Sequence, residues 1–404
     1  MNLSWDELAR GFANQRDFCK GYSLLYEAVC GYCAAIVTKR AAAAALEPDE
    51  KAFIQLLETE LAARHFDSTQ EPAILFLAAL HAALLNGDSE VELVKRFYAT
   101  VGGSYIAPQH EELLQALRVV CLKPSKTTRD FLRTQEVKTN EVSRGITWLL
   151  PAMVFDRAEP GVPITVIDLG CSLGLNLIAD TLTWQWRVVQ GLERSLNQVA
   201  NEYENALILQ QIDFGVESEV PRLLPPGALT VPNIVKRVGV DINPPRPDDP
   251  VAIAALRAFI WGDRKDRLER FDRALTSFKN VKPGPEINTA DMIEAARSLH
   301  THITPETKVL LVYNTVVTQY MTDEQYAVLH DNIIESFHQL PENVRAYWFE
   351  LEPPRADDPD AFKKMYPLKA HIIREGHGRM EYVAHTEPHP QMVILLPVWD
   401  SLLR

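Results

Sequence analysis

The sequence predicts an α/β protein: a mostly parallel sheet with an antiparallel C-terminal strand, preceded by an all-helical domain. Three observations predict it. Four of the 26 prolines fall in residues 1–150 and the rest follow, and proline suits the loops between elements far better than helix interiors. Short apolar, β-branched runs begin at Ile164–Ile167 and recur at Val235–Val240, Lys308–Tyr313, Ala346–Leu351, Glu381–His385 and Met392–Leu396. Helical stretches at 249–278, 287–299 and 323–339 separate most of these runs. Such alternation builds parallel strands joined by right-handed crossovers.

The first helix opens at Ser4-x-x-Glu7, a capping box. Ser89-x-x-Glu92 opens another, with Val91, Leu93, Val94 and Phe97 as its apolar stripe. The alanines at 41–45, the run Ala73–Leu85 and the stretch Leu113–Leu122 suit helices packed on helices. Gly102-Gly103 and Lys123-Pro124 are breaks. A last helix is expected from about Asn140 to Phe155, kinked at Pro151, before the linker Glu159–Pro163. The helical domain is therefore placed at 1–135 and the sheet domain at 136–404, with an insertion near 183–233 that suits a hairpin.

Composition excludes several classes. Apolar residues at 47% and charged residues at 24% are ordinary globular usage. The run Ala73–Leu85, which contains His81, is shorter than the ~20 residues a bilayer needs. The start Met-Asn-Leu-Ser-Trp-Asp-Glu has neither the basic residues nor the apolar core of an export signal. A cytoplasmic protein with no membrane contact is expected. The net charge of −13 makes the chain a poor generic binder of nucleic-acid backbone. Five cysteines suit reduced thiols. Cys30-x-x-Cys33 falls in a helical stretch and reads as a structural pair.

The informative segment is Val166-Ile-Asp-Leu-Gly-Cys-Ser-Leu-Gly-Leu-Asn-Leu-Ile-Ala-Asp180. A strand ends at Asp168-Leu169, Gly170 and Gly174 permit a tight turn, and a helix is expected from Leu175. No Lys follows to make a P-loop. Ser172 and Leu175 stand where a dinucleotide fingerprint needs glycine. Gly170-x-Ser172-x-Gly174 matches the nucleophile elbow of α/β-hydrolases, yet the residues before it look helical and no Gly-rich oxyanion loop precedes it. Asp168-x-Gly170-x-Ser172-x-Gly174 also resembles the first loop of Rossmann-like S-adenosylmethionine-dependent methyltransferases, with Ser for the central Gly. There the glycines let the backbone pass under the cofactor, and the acid favours its ammonium or sulfonium end.

That resemblance implies further site residues. Asp241 closes the next strand, where an acid holds the ribose hydroxyls, and Ile242 would pack on adenine. Asp291, followed by Met292, takes the position that meets the adenine amino group, although it also suits a helix N-cap. Tyr313 and Asn314 end the fourth strand, where acceptor meets methyl group. Thr139, Asn140 and Arg144 open the helix before the first strand, within reach of the cofactor carboxylate. His389 lies in the turn between two C-terminal strands, placed to touch substrate or act as a base. His385, Glu387 and His389 alternate, but a polar hairpin tip explains them without a metal.

Thr139-Asn140-Glu141-x-x-Arg144, Ser172-Leu-Gly-Leu-Asn176-Leu-Ile-Ala-Asp180, Gly239-Val-Asp-Ile-Asn-Pro244, Trp261-Gly-Asp-Arg264 with Arg267, and Pro388-His389 together resemble an uncharacterised bacterial family whose core is similar to methyltransferases. The resemblance adds Asn176 to the cofactor residues. Asn314 and Pro390 depart from it, standing where His and Gly are expected. The expectation is a methyltransferase with S-adenosylmethionine as cofactor and a small-molecule acceptor. A Ser172 esterase and a non-catalytic S-adenosylmethionine-binding protein are the alternatives. The oligomeric state is not legible.

Overall fold

The Ser4 hydroxyl accepts from the Glu7 N–H and the Glu7 carboxylate accepts from the Ser4 N–H, so the capping box starts the first helix, Trp5–Cys19. In the computed structural model the described residues are 1–138, 140–182, 186–188, 207–211, 232–356, 358–359, 365–374, 377–390, 392–396 and 398–402. They form two compact units, Met1–Asn140 with Arg246–Asp272, and Glu141–Pro245 with Arg273–Arg404.

The first unit is helical. Its main helices are Trp5–Cys19, Leu24–Ala41, Pro48–Glu60, Glu71–Asn86, His110–Leu122, Lys126–Thr134 and Pro250–Ala258. Ser89 does not cap a long helix. The segment makes a short 3₁₀ turn, Ser89–Val91, and a single α turn, Glu92–Lys95, and Leu93 faces solvent while Val91, Val94 and Phe97 are buried. Cys30 and Cys33 lie inside Leu24–Ala41 as buried free thiols, and burial pushes the Cys33 thiol up. No single described helix is long and apolar enough to cross a membrane.

Residues 246–272, which chain order assigned to the sheet domain, pack with the helices. Trp261 stacks on Tyr26 with ring centroids 5.6 Å apart, and Phe259 lies 5.5 Å from Phe131. The Gly262 N–H donates to Tyr26 Oη and its carbonyl accepts from the Thr100 N–H. A Cβ at Gly262 would lie 2.0 Å from the Tyr98 ring, so only glycine lets this segment seat.

The second unit is built on a mixed sheet. Its strands are β1 (Ile164–Leu169), β2 (Trp186–Val188), β3 (Leu207–Gln211), β4 (Ile234–Asp241), β5 (Glu286–Thr289), β6 (Val309–Thr315), β7 (Arg345–Leu351), β8 (Tyr366–Arg374), β9 (His377–Thr386) and β10 (Met392–Leu395). The order is β2-β3-β10-β9-β8-β7-β6-β1-β4-β5. β5, β4, β1, β6 and β7 run parallel, and β8, β9 and β10 follow as an antiparallel meander. The mostly parallel core is as expected, but three C-terminal strands are antiparallel to their neighbours. Of the 183–233 insertion, β2 and β3 pair antiparallel and β3 adds to β10; residues 183–185, 189–206 and 212–231 lie outside the described residues.

Period-two alternation sorts the core. Ile164 and Val166 of β1 face the layer that holds the helix Ile146–Ala158, which carries Pro151 within it. Ile167 and Leu169 face the layer of Asp323–His338, with Leu329, Ile333 and Phe337. Strands buried on both faces read as near-continuous apolar runs, which is why β1 and β6 were visible in the sequence.

Candidate functional site

The C-terminal ends of β1, β4 and β6 carry the sequence-predicted Asp168, Gly170, Ser172, Gly174, Asp241, Ile242, Tyr313 and Asn314. Just after β1, the N–H groups of Gly170 and Cys171 donate to the Val240 carbonyl, and the Gly174 N–H donates to Cys171 O. Gly170, Ser172 and Gly174 all have positive φ. A Cβ on Gly170 would meet Val317 Cγ2 at 2.7 Å, and one on Gly174 would meet Ile287 Cδ1 at 2.7 Å. Ser172, which carries a side chain, is strained at φ 50°.

The expected helix from Leu175 is only a 3₁₀ stretch, Leu175–Thr181, broken at Ile178. Trp148 Nε1 donates to the Asn176 carbonyl, and Arg237 Nε donates to the Leu177 carbonyl. Those acceptors are thereby engaged outside an α-helical ladder. Arg237, on β4 and 2% exposed, also pairs with Asp180.

Asp241 lies at the end of β4. Its Oδ2 accepts from the Ser172 N–H at 2.8 Å, and its Oδ1 accepts from the Asn243 N–H at 2.9 Å. Ile242 beside it is exposed. Asp168 is fully enclosed and accepts from Tyr313 Oη at 2.7 Å. Burial pushes the Asp168 carboxyl up to about 7; the Tyr313 hydrogen bond opposes the shift and the nearby Asp241 charge adds to it. Burial likewise carries the Tyr313 phenol well above its usual range.

Asn314 is buried with both ends of its amide engaged. Its Nδ2 donates to Glu352 Oε1 at 2.7 Å, and its Oδ1 accepts from Trp348 Nε1 at 2.6 Å. Glu352 also accepts from the N–H groups of Val317 and Thr318. Burial pushes this carboxyl up to about 7 against those hydrogen bonds. Val316, between β6 and this carboxylate, has φ 54°, a strained conformation for a β-branched residue. Sequence reading missed Glu352. Its signal is the pair Glu350-x-Glu352 closing an apolar strand.

Arg144 and His389, far apart in sequence, come together. Arg144 Nε donates to the Pro388 carbonyl at 3.0 Å, and His389 Nδ1 lies 3.9 Å from Glu141 Oε2. The Glu141 carboxylate also accepts from Ser143. β9 runs parallel to β1 through two antiparallel pairings, so the turn after it lies at the same sheet edge as the loop after β1. Asp291 caps Met292–Ala295, accepting from the N–H groups of Ile293 and Glu294, and Met292 is buried beside it. Asn140 belongs to the helical unit, and Thr139 lies outside the described residues.

Among the described residues, Ser172 Oγ and Asn176 Oδ1 are buried with no protein hydrogen-bond partner. Buried polar atoms normally find partners, so these two suit a polar ligand lying against a backbone kept close by Gly170 and Gly174. Among the described residues, no group of three or more His, Cys, Asp or Glu is arranged to hold a metal ion.

No curated protein and no solved structure matches the chain. A family model described as "Uncharacterized protein conserved in bacteria (DUF2332)" matches residues 19–394. That match runs through both units, and the chain belongs to this bacterial family.

Proposed function

We propose that the second unit binds S-adenosylmethionine at the loop 170–174 and methylates a small-molecule acceptor. The observation that carries this reading is the hydrogen bond from the Ser172 N–H to Asp241, which ties the glycine-flanked turn after β1 to an acid closing β4. Ligands of open α/β sheets bind at the carboxyl ends of adjacent strands. The cofactor would supply a methyl group activated by a sulfonium. Asp241, half-buried and already fixed by two N–H groups, would accept from the ribose hydroxyls. Ser172 Oγ and Asn176 Oδ1 would gain partners. Asp168, oriented by Tyr313, would balance positive charge. Methyl transfer depends largely on aligning acceptor, carbon and sulfur, so it does not demand an isolated base.

Calorimetry with S-adenosylmethionine and S-adenosylhomocysteine tests this on wild type, Asp241→Asn and Asp241→Ala. Both ligands should bind wild type, with affinity at least tenfold weaker in Asp241→Ala. No binding to wild type refutes the cofactor assignment. Transfer of a labelled methyl group to product separates an enzyme from a protein that only binds the cofactor.

One observation favours a second reading. Ser172 sits at φ 50° within Gly-x-Ser-x-Gly, as a nucleophile on a sharp turn would. Among the described residues, no group hydrogen-bonds its Oγ. Turnover of p-nitrophenyl acetate that disappears in Ser172→Ala would support a hydrolase over a methyltransferase.

A further inference from the structure

A cavity of about 320 Å³ lies on the second unit away from the loop after β1, against strands β8 and β9. In the sheet order β8 is three places from β1. The volume is within the range of small-ligand pockets.

Strand register builds its floor. Trp348, His371 and Met380 stand directly opposite one another across β7, β8 and β9, and so do Glu350, Lys369 and Tyr382. Directly paired residues of antiparallel strands share a face. Tyr326, His330 and Ile334, spaced four apart on the helix Asp323–His338, line the same cavity. Arg355, Asp358 and Arg379 also line it.

The acids here already accept from neighbouring donors. Asp358 accepts from Lys369 Nζ, Tyr382 Oη and the Arg355 N–H, each at 2.7 Å. Glu350 Oε2 accepts from Tyr326 Oη at 2.8 Å and from His371 Nε2 at 2.6 Å. Burial would raise the Glu350 carboxyl, but His371, Tyr326 and Lys369 together hold it below its usual range. An ionised Glu350 only accepts, so His371 carries its proton on Nε2. The ring stacks on Trp348 at 4.3 Å, which fixes its plane.

The donors are not saturated. The Lys369 side chain is 11% exposed, and among the described residues its ammonium has one carboxylate partner for three N–H bonds. The Arg355 guanidinium stacks over Tyr326 at 4.2 Å and gives one N–H to Asp323, a carboxylate at the surface. His371 Nδ1 has no protein partner among the described residues, and a neutral ring with its proton on Nε2 presents Nδ1 as an acceptor. Two cations with spare donors and one oriented acceptor line a single cavity.

We propose that this cavity binds a small oxyanion that carries a hydroxyl group, either a hydroxycarboxylate or a hydrogen phosphate. Lys369 and Arg355 hold the anionic oxygens, and His371 Nδ1 accepts from the hydroxyl. The site stands independently of the cofactor reading.

The test is calorimetry on the full chain at about pH 8 with three probes: lactate, propionate and inorganic phosphate. Saturable binding is expected in the millimolar range. Lactate should bind several-fold tighter than propionate, which lacks the hydroxyl. Arg355→Met and Lys369→Met should each weaken binding at least fivefold. His371→Phe should abolish the lactate–propionate difference while propionate binding persists. Phosphate binding without lactate binding would assign the phosphate form of the ligand, and lactate binding without phosphate binding the carboxylate form. Arg355 is partly exposed and its substitution leaves Asp358 paired to Lys369 and Tyr382, so Arg355→Met keeps the test decisive if another variant does not fold. No saturable binding of any probe overturns the proposal, as do unchanged affinities in Arg355→Met or, where lactate binds, equal affinities of wild type for lactate and propionate. S-adenosylmethionine binding is expected to be unchanged in Arg355→Met, which separates failure here from failure of the cofactor reading.

Discussion

Replacing Asp168 with asparagine should make the protein more stable at alkaline pH than at acid pH, relative to wild type. Asp168 is fully enclosed, and burial carries its carboxyl from 3.8 up to about 7. An acid raised on folding contributes stability that is complete below its unfolded pKa and lost as pH rises through its folded pKa. The window therefore runs from about pH 4 to about pH 7. Each pKa unit is worth about 1.4 kcal/mol, so the three-unit window amounts to about 4 kcal/mol. Between pH 5 and pH 8 two of those units are crossed, or about 3 kcal/mol. The substituted amide would still accept from Tyr313 Oη through its oxygen but carries no charge to desolvate. Urea denaturation of wild type and Asp168→Asn at pH 5 and pH 8 measures the difference. Glu352, also pushed up to about 7, has the same sign and cancels between the two proteins. The stability gap should widen in favour of the variant by a few kcal/mol as pH rises. A gap that stays constant would mean that Asp168 is ionised at pH 5 in the folded protein, and the account of its burial would fail.

Arg237→Met should cost about 3–5 kcal/mol by urea denaturation, because it leaves Asp180 buried and unpaired. Adding Asp180→Asn should recover part of the loss, and a single variant within ~1 kcal/mol of wild type would show that the clamp beneath the 175–181 stretch is not a stabilising pair. In the helical unit, His81 gives Nδ1–H to the Ala258 carbonyl and its Nε2 lies 2.8 Å from Thr100 Oγ1, and burial holds it down to about 4. Because the unfolded histidine takes up a proton first, stability should fall as pH drops from about 6.5 to 4, by up to about 3 kcal/mol, and His81→Gln should lose that dependence relative to wild type in the same denaturation series.

The loop after β1 was legible because its chemistry is local. Gly170, Ser172 and Gly174 are spaced within one turn, and a strand of Val and Ile leads straight into them. Asp241 could be placed because a second apolar run ends on it, even though 73 residues separate it from Asp168. The constellation of Glu350, His371 and Tyr326 was not legible. It depends on the antiparallel register that sets Trp348 opposite His371 and on the face that the helix Asp323–His338 turns to the sheet. Alternation in the sequence shows that Glu350 and Glu352 share a face, but not what stands across from them.

The sequence by itself determined the class of structure and the position of its principal turn. Apolar period, proline placement and a glycine-flanked bend are properties of contiguous residues, and they act before any distant contact forms. Tertiary structure decided the rest. It sent 246–272 to the helical unit because Phe259, Trp261 and a side-chain-free Gly262 pack against Phe131, Tyr26 and Tyr98. It shortened the helix expected after Gly174, where Trp148 and Arg237 engage the Asn176 and Leu177 carbonyls. It also kept Asp168 and Glu352 away from water, so their charge states follow from burial that no local pattern encodes.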